Sequence, residues 1–167
     1  MVFHWAAAIL DFWLASWRGA RAWLGRPARV RRLWRALPGD LLGILVMRGC
    51  GIARPTREVE SGDVTAVLVE DPRVGRWFDT QLMPVTAQTL GRYVFARGRI
   101  PADILAHECE HIRQWERFGP FYLAMYFGSS ALALLRGREA YWANHFEAAA
   151  RSRAVRETSK TKTRLKP

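Results

Sequence analysis

The sequence predicts an α+β fold, and three features predict it. A helical stretch is organised around His107-Glu108-Cys109-Glu110-His111, β-branched runs bounded by turn residues mark a small sheet, and the first third of the chain is helical, Trp- and Arg-rich sequence. The expected architecture is a small sheet packed on the helix that carries the two histidines and on a later helix. Three segments are expected: an α-helical, basic N-terminal segment at 1–57, a compact domain at 58–153, and a basic disordered tail at 154–167.

Composition supports this division. With 167 residues, half of them hydrophobic, the chain suits one domain with its own core plus appendages, which excludes overall disorder. The net charge of +11 is uneven: residues 1–57 carry ten Arg against Asp11 and Asp40, residues 151–167 carry seven basic groups against Glu157, and the remainder is mildly acidic. Basic ends imply an anionic partner. A membrane surface is expected, because no nucleic-acid-binding motif accompanies the tail. Cys50 and Cys109 alone imply no disulfide framework.

Residues 1–17 read as a helix with a narrow polar stripe through His4 and Asp11 and a wide apolar face including Phe3, Trp5, Phe12 and Trp13. No basic residue precedes this run and Asp11 interrupts it, which argues against a cleaved signal. From 18 to 35, Arg alternates with Trp and Leu, a pattern suited either to a water–lipid interface or to helices that cover the core. Pro38-Gly39 is expected to break the chain, leaving a short apolar helix at 41–47 and a linker at 49–55.

Val64-Thr65-Ala66-Val67-Leu68-Val69 is the clearest strand, set between Ser61-Gly62-Asp63 and Asp71-Pro72. A second strand is expected over 89–96. Pro101 suits the first turn of the next helix and Asp103 its positive end; that helix runs to about Phe118, where Gly119-Pro120 stops it. Residues 118–135 carry no charged side chain, enough to raise a transmembrane span. A span would carry all later residues to the far side of the bilayer from His111, so a buried or membrane-apposed hairpin is expected instead. A further helix is expected over 139–153.

The chemistry lies in the histidine motif. Residues four apart fall on one helix face, so His107 and His111 can reach one metal ion. Zn²⁺ takes neutral imidazole nitrogen, and a catalytic site keeps one position for water. Glu108 lies about 100° round the helix, where a carboxylate serves as general base in metal-assisted hydrolysis. Cys109 points off that face and is expected to be a small buried apolar residue.

A third ligand is needed, and 141–150 reads Tyr-Trp-Ala-Asn-His-Phe-Glu-Ala-Ala-Ala. Here the sequence resembles the gluzincin-type zinc metallopeptidases, in which His-Glu-x-x-His is followed on a second helix by a glutamate ligand, often within Asn-x-x-Glu. The match is His107, Glu108, His111 and Glu147, with Asn144 before the glutamate. The metzincin pattern fails at Gln114 and Arg117. The resemblance covers about residues 61–153 and is nearer to compact bacterial zincin-like proteins than to a two-lobed peptidase.

Several expectations follow from that resemblance. The fold is a minimal zincin-like domain, the cofactor Zn²⁺, and the substrate a peptide or protein that pairs with an edge strand at 89–96. Tyr141 or His145 holds the oxyanion, and no spacing selects between them. His145 lies on roughly the opposite side of its helix from Glu147, a surface position or one behind the ligands. Ala150 stands where family members often carry an acid, leaving Arg151 to orient Glu147. Ala148 and Ala150 allow close helix approach, and Glu110, Glu116 and Glu139 belong to solvated faces. The expected activity is metallopeptidase-like hydrolysis in the bacterial cytoplasm, peripheral to the inner membrane. The alternative is a non-catalytic module of the same fold that binds membranes through its basic aromatic N-terminus.

Overall fold

A computed structural model describes residues 28–81 and 84–164. The helices expected within 1–27 lie outside the described residues. Contacts divide the chain after Trp34, and the packing described below is that of the second unit, Arg35–Pro167.

Its architecture is α+β. In chain order it comprises α1 (Ala28–Gly49), β1 (Arg57–Ser61), β2 (Val64–Glu70), α2 (Val74–Phe78), β3 (Ala87–Leu90), β4 (Tyr93–Ala96), α3 (Ala102–Phe118), a 3-10 turn (Gly119–Phe121), α4 (Tyr122–Leu135) and α5 (His145–Arg164). The sheet order is β1-β2-β4-β3, with β2 and β4 parallel and the two outer pairs antiparallel.

The expected break at Pro38-Gly39 does not occur, because α1 runs through Pro38. Loss of the proline N–H is offset by contacts that its neighbours make with the β3–β4 turn. A Cβ on Gly39 would lie 2.5 Å from the Gly91 nitrogen, so only glycine admits this approach. Asp40, buried next to it, accepts the Arg92 N–H at 2.7 Å and pairs with the Arg92 guanidinium at 2.7 Å. Ala36, Met47, Cys50 and Ile52 are buried as well. Residues 35–57, grouped above with the N-terminal segment, therefore lie in the second unit and bury those side chains there, while Leu41 and Leu45 stay exposed.

Strand β2 matches its expected position and is covered on both faces. Val64, Ala66 and Leu68 pack with Val94, Ala96, Cys109 and Ile112, while Val69 packs with Phe95, Val74, Phe78 and Trp115 on the opposite side. The single strand expected over 89–96 is instead a hairpin, since Gly91 adopts φ +62 and Leu90 pairs with Tyr93 across a two-residue turn. Only its first arm, β3, is an edge strand.

Pro101 occupies the N-cap of α3, one position before the first turn, and Asp103 lies in that turn. The Ile100 N–H donates to Glu70 Oε1 at 2.9 Å, tying the start of α3 to the end of β2. Gly119, at φ +59, ends the helix. The last helix begins at His145 rather than Glu139, because Asn144 caps it. Its Oδ1 accepts the Phe146 N–H at 2.8 Å, while its carbonyl accepts the Ala148 N–H at 2.9 Å. The tail expected to be disordered from 154 is helical to Arg164. No Gly or Pro interrupts 145–164, and Arg153 pairs with Glu157 one turn on at 3.1 Å.

Candidate metal centre

Helix α3 presents His107 and His111 from one face, and α5 presents Glu147 from its first turn. His107 Nε2 lies 3.1 Å from His111 Nε2 and 3.3 Å from Glu147 Oε2, and His111 Nε2 lies 3.3 Å from Glu147 Oε1. One ligand atom from each residue falls within 4.8 Å of the others, a spacing that suits a single ion. His111 and Glu147 are buried, whereas His107 keeps 16% of its side chain exposed and marks the open side.

The hydrogen bonds behind these ligands set the protonation of His111. Gln114 Nε2 faces the Phe146 carbonyl at 3.0 Å, and a carbonyl only accepts, so this atom is the amide nitrogen. Its Oε1 then faces His111 Nδ1 at 2.8 Å and takes the Tyr122 hydroxyl proton at 3.1 Å. An amide oxygen also only accepts, so Nδ1 carries a hydrogen and Nε2 is the nitrogen turned to the centre, able to take a proton or a metal ion there. Glu147 is held in the same manner, Tyr126 donating to its Oε1 at 2.7 Å. Its Oε2 is buried, and among the described residues His107 Nε2 at 3.3 Å and Arg151 at 4.0 Å are near it but not aligned as hydrogen-bond donors. Two imidazoles and a buried carboxylate facing one another call for a positive charge between them, a proton on an imidazole in the metal-free chain or a bound metal ion.

Electrostatics agree with that geometry. Burial opposes charge on Glu147, yet the adjoining His107 and His111 imidazoles outweigh it and hold the carboxyl below its ordinary range. Burial likewise opposes charge on His111, and Glu147 with Glu108 reverses the balance and raises it. Burial, then Glu147, pushes the Tyr141 hydroxyl up to about 12.

Glu108 is buried next to the ligands in sequence, and its Oε2 accepts the Thr89 hydroxyl at 2.7 Å. The motif carboxylate is therefore tethered to the edge strand β3. Cys109 is fully buried against the sheet, as expected. Asn144 does not face the ligands; its Nδ2 donates to the Tyr126 carbonyl at 3.0 Å and to Ser130 Oγ at 2.7 Å, which locks α5 to α4. His145 is exposed, its backbone N–H donating to Ser129 Oγ at 2.9 Å. Arg151 donates to the Trp142 carbonyl at 2.6 Å, stacks over the Trp142 ring, and stands 4.0 Å from Glu147 Oε2. Ala150 is fully buried, but Ala148 is exposed and takes no part in helix approach. Glu116, expected on a solvated face, is buried, because its side of α3 also turns inward.

Sequence reasoning missed Thr89, Gln114, Tyr122 and Tyr126. Two signals were legible: Gln114 stands three residues after His111 on the same face, and Tyr122 and Tyr126 place hydroxyls one turn apart in an otherwise apolar run. Comparison of the chain with protein-family models, curated proteins and solved structures found no match.

Proposed function

We propose that this chain is a zinc-dependent, metallopeptidase-like hydrolase that cleaves a peptide or protein with water activated at His107, His111 and Glu147. The observation that carries this reading is the convergence of His107 Nε2, His111 Nε2 and the buried Glu147 carboxylate within reach of one ion. Two imidazoles and one carboxylate are a donor set suited to hydrolytic zinc. A divalent ion bound there lowers the pKa of its water and polarises a substrate carbonyl.

The other roles belong to the chain itself. Glu108 takes the proton of the attacking water, and Thr89 fixes the carboxylate by donating to its Oε2. Tyr141, its hydroxyl pushed up to about 12, keeps its proton at neutral pH and donates to the developing oxyanion. His145 is exposed and less suited to that role. The position of β3 at the sheet edge beside α3 supports its receiving an extended peptide by strand pairing. The mixed sheet against α3, with a carboxylate on a later helix, supports a minimal zincin-like domain.

Zinc content tests the reading. The wild-type chain, reconstituted at neutral pH, is expected to hold about one zinc by the His₂Glu ligand count, and Glu147→Ala to lose it. Glu108→Gln is expected to keep zinc while peptide cleavage falls by roughly 10²–10⁴. A wild type without zinc overturns the site, and cleavage undiminished in Glu108→Gln overturns the mechanism.

A further inference from the structure

From Phe121 to Leu135 the chain presents two unlike faces. The inner one carries every hydroxyl of the stretch: Tyr122, Tyr126, Ser129 and Ser130 bond to His111, Glu147, the His145 N–H and Asn144 respectively. The outer one carries only apolar groups. Phe121, Met125, Phe127, Leu132, Leu134 and Leu135 are between 43% and 85% exposed, and Ala124, Gly128 and Ala131 between them are exposed too. In the apolar window of the 102–135 helical stretch only 17% of residues are buried. Soluble chains rarely leave such a patch to water.

Charge identifies what covers it. No acidic residue lies between Glu116 and Glu139, whereas Arg117, Arg136 and Arg138, all exposed, bracket the apolar run. Trp142, 62% exposed, follows in the loop after α4. Apolar side chains edged by arginine and tryptophan match the boundary between acyl chains and anionic headgroups. A second protein surface fits less well. Specific protein interfaces carry about one hydrogen bond per 100–200 Å², and the outer face has no side-chain donor or acceptor. Crossing the bilayer does not fit either: α4 has 14 residues, about 21 Å at 1.5 Å each, against a hydrocarbon core of about 30 Å. Its inner face is also committed to α5.

We infer that α4 lies flat in the headgroup boundary of an anionic bilayer, with its outer face in the acyl region and its inner face toward the metal centre. Tyr126 then links the lipid-bound helix directly to Glu147. On the hydrolase reading, and resting on it, the substrate class is polypeptide presented at a bilayer surface. The docking itself stands without that reading.

The test uses the full chain and vesicles of phosphatidylcholine with or without phosphatidylglycerol. Partition of the wild type is expected to be stronger on the anionic vesicles. The triple variant Phe127→Ser/Leu134→Ser/Leu135→Ser is expected to lose about 1,000-fold, taking roughly ten-fold for each buried side chain. Arg136→Glu/Arg138→Glu is expected to weaken binding to anionic vesicles only, by about five-fold per arginine. Zinc retained by the variants shows the fold and the centre intact, so failure of docking and failure of the metal reading are separately visible. No wild-type binding overturns the inference. So does triple-variant partition equal to wild type, which assigns binding to the basic N-terminal segment. A wild-type dimer in solution that the triple variant dissociates also overturns it, assigning the face to a second copy.

Discussion

The inner and outer faces of α4 carry opposite chemistry. Both belong to one helix, yet one holds tyrosines and serines that each meet a partner and the other holds none. The contrast teaches that α4 is a positioning element rather than filler. Hydroxyls in a buried or half-buried apolar setting are costly unless bonded, and all four are bonded to the residues or helix termini that orient the ligands. On the outer side, where no such restraint acts, the same stretch carries only carbon and sulfur side chains.

The contrast can be broken or sharpened by substitution. The largest expected effect is a Cβ at Gly39, which meets the Gly91 backbone at 2.5 Å. Gly39→Ala should destabilise the domain by about 1–3 kcal/mol as overpacking against backbone does, read as a lower midpoint of chemical denaturation. It should disturb zinc binding and vesicle binding together. Next come changes confined to the inner face. Tyr126→Phe removes the donor to Glu147, and Gln114→Leu removes the acceptor that sets the His111 tautomer. Each should weaken zinc by roughly 10–100-fold in a competition titration against a chelator. Vesicle partition should stay at the wild-type value, and a parallel loss of both would dissolve the distinction between the faces.

A smaller change is expected at Thr89. Thr89→Val keeps the shape of β3 and removes the bond to Glu108 Oε2, so turnover on a cleavable peptide should fall by about ten-fold while zinc affinity holds. A drop in zinc affinity would instead place Thr89 among the groups that build the ligand cluster.

Changes of pH separate the faces without mutation. His111 is raised above its ordinary value by Glu147 and Glu108, against burial, so protons compete with zinc at a higher pH than for a free imidazole. Zinc affinity should therefore decline as pH falls through that raised value. In the metal-free chain the sign is opposite for stability: the His111 contribution is full below the unfolded histidine value of about 6.5 and is lost as pH rises through the folded one. Zinc should remove that alkaline decline. Vesicle binding through α4 rests on apolar groups and arginines, which do not titrate in this range, and should stay level.

Local features of this protein were legible in the sequence because they depend on neighbours a few residues apart. His107 and His111 share a face through the helical repeat, Val64 to Val69 form a strand through β-branching and bounding turns, and Cys109 turns inward by its angle from the histidines. Glu147 needed more than periodicity, and the resemblance to glutamate-ligand zinc sites nominated it. The absence of charge from 118 to 135 was also plain, though not which side of it would face water. Tertiary structure alone decided the rest. Pro38 stays within α1 because Gly39 and Asp40 close on a turn around Gly91 and Arg92, more than 50 residues away in sequence. Tyr126 finds Glu147 and Gln114 finds the Phe146 carbonyl across 21 and 32 residues. Asn144, which precedes the ligand glutamate in the Asn-x-x-Glu match, caps α5 while Ser130 and the Tyr126 carbonyl hold its amide. Such contacts follow from how helices pack, and packing is set by the sum of many distant side chains rather than by any short pattern.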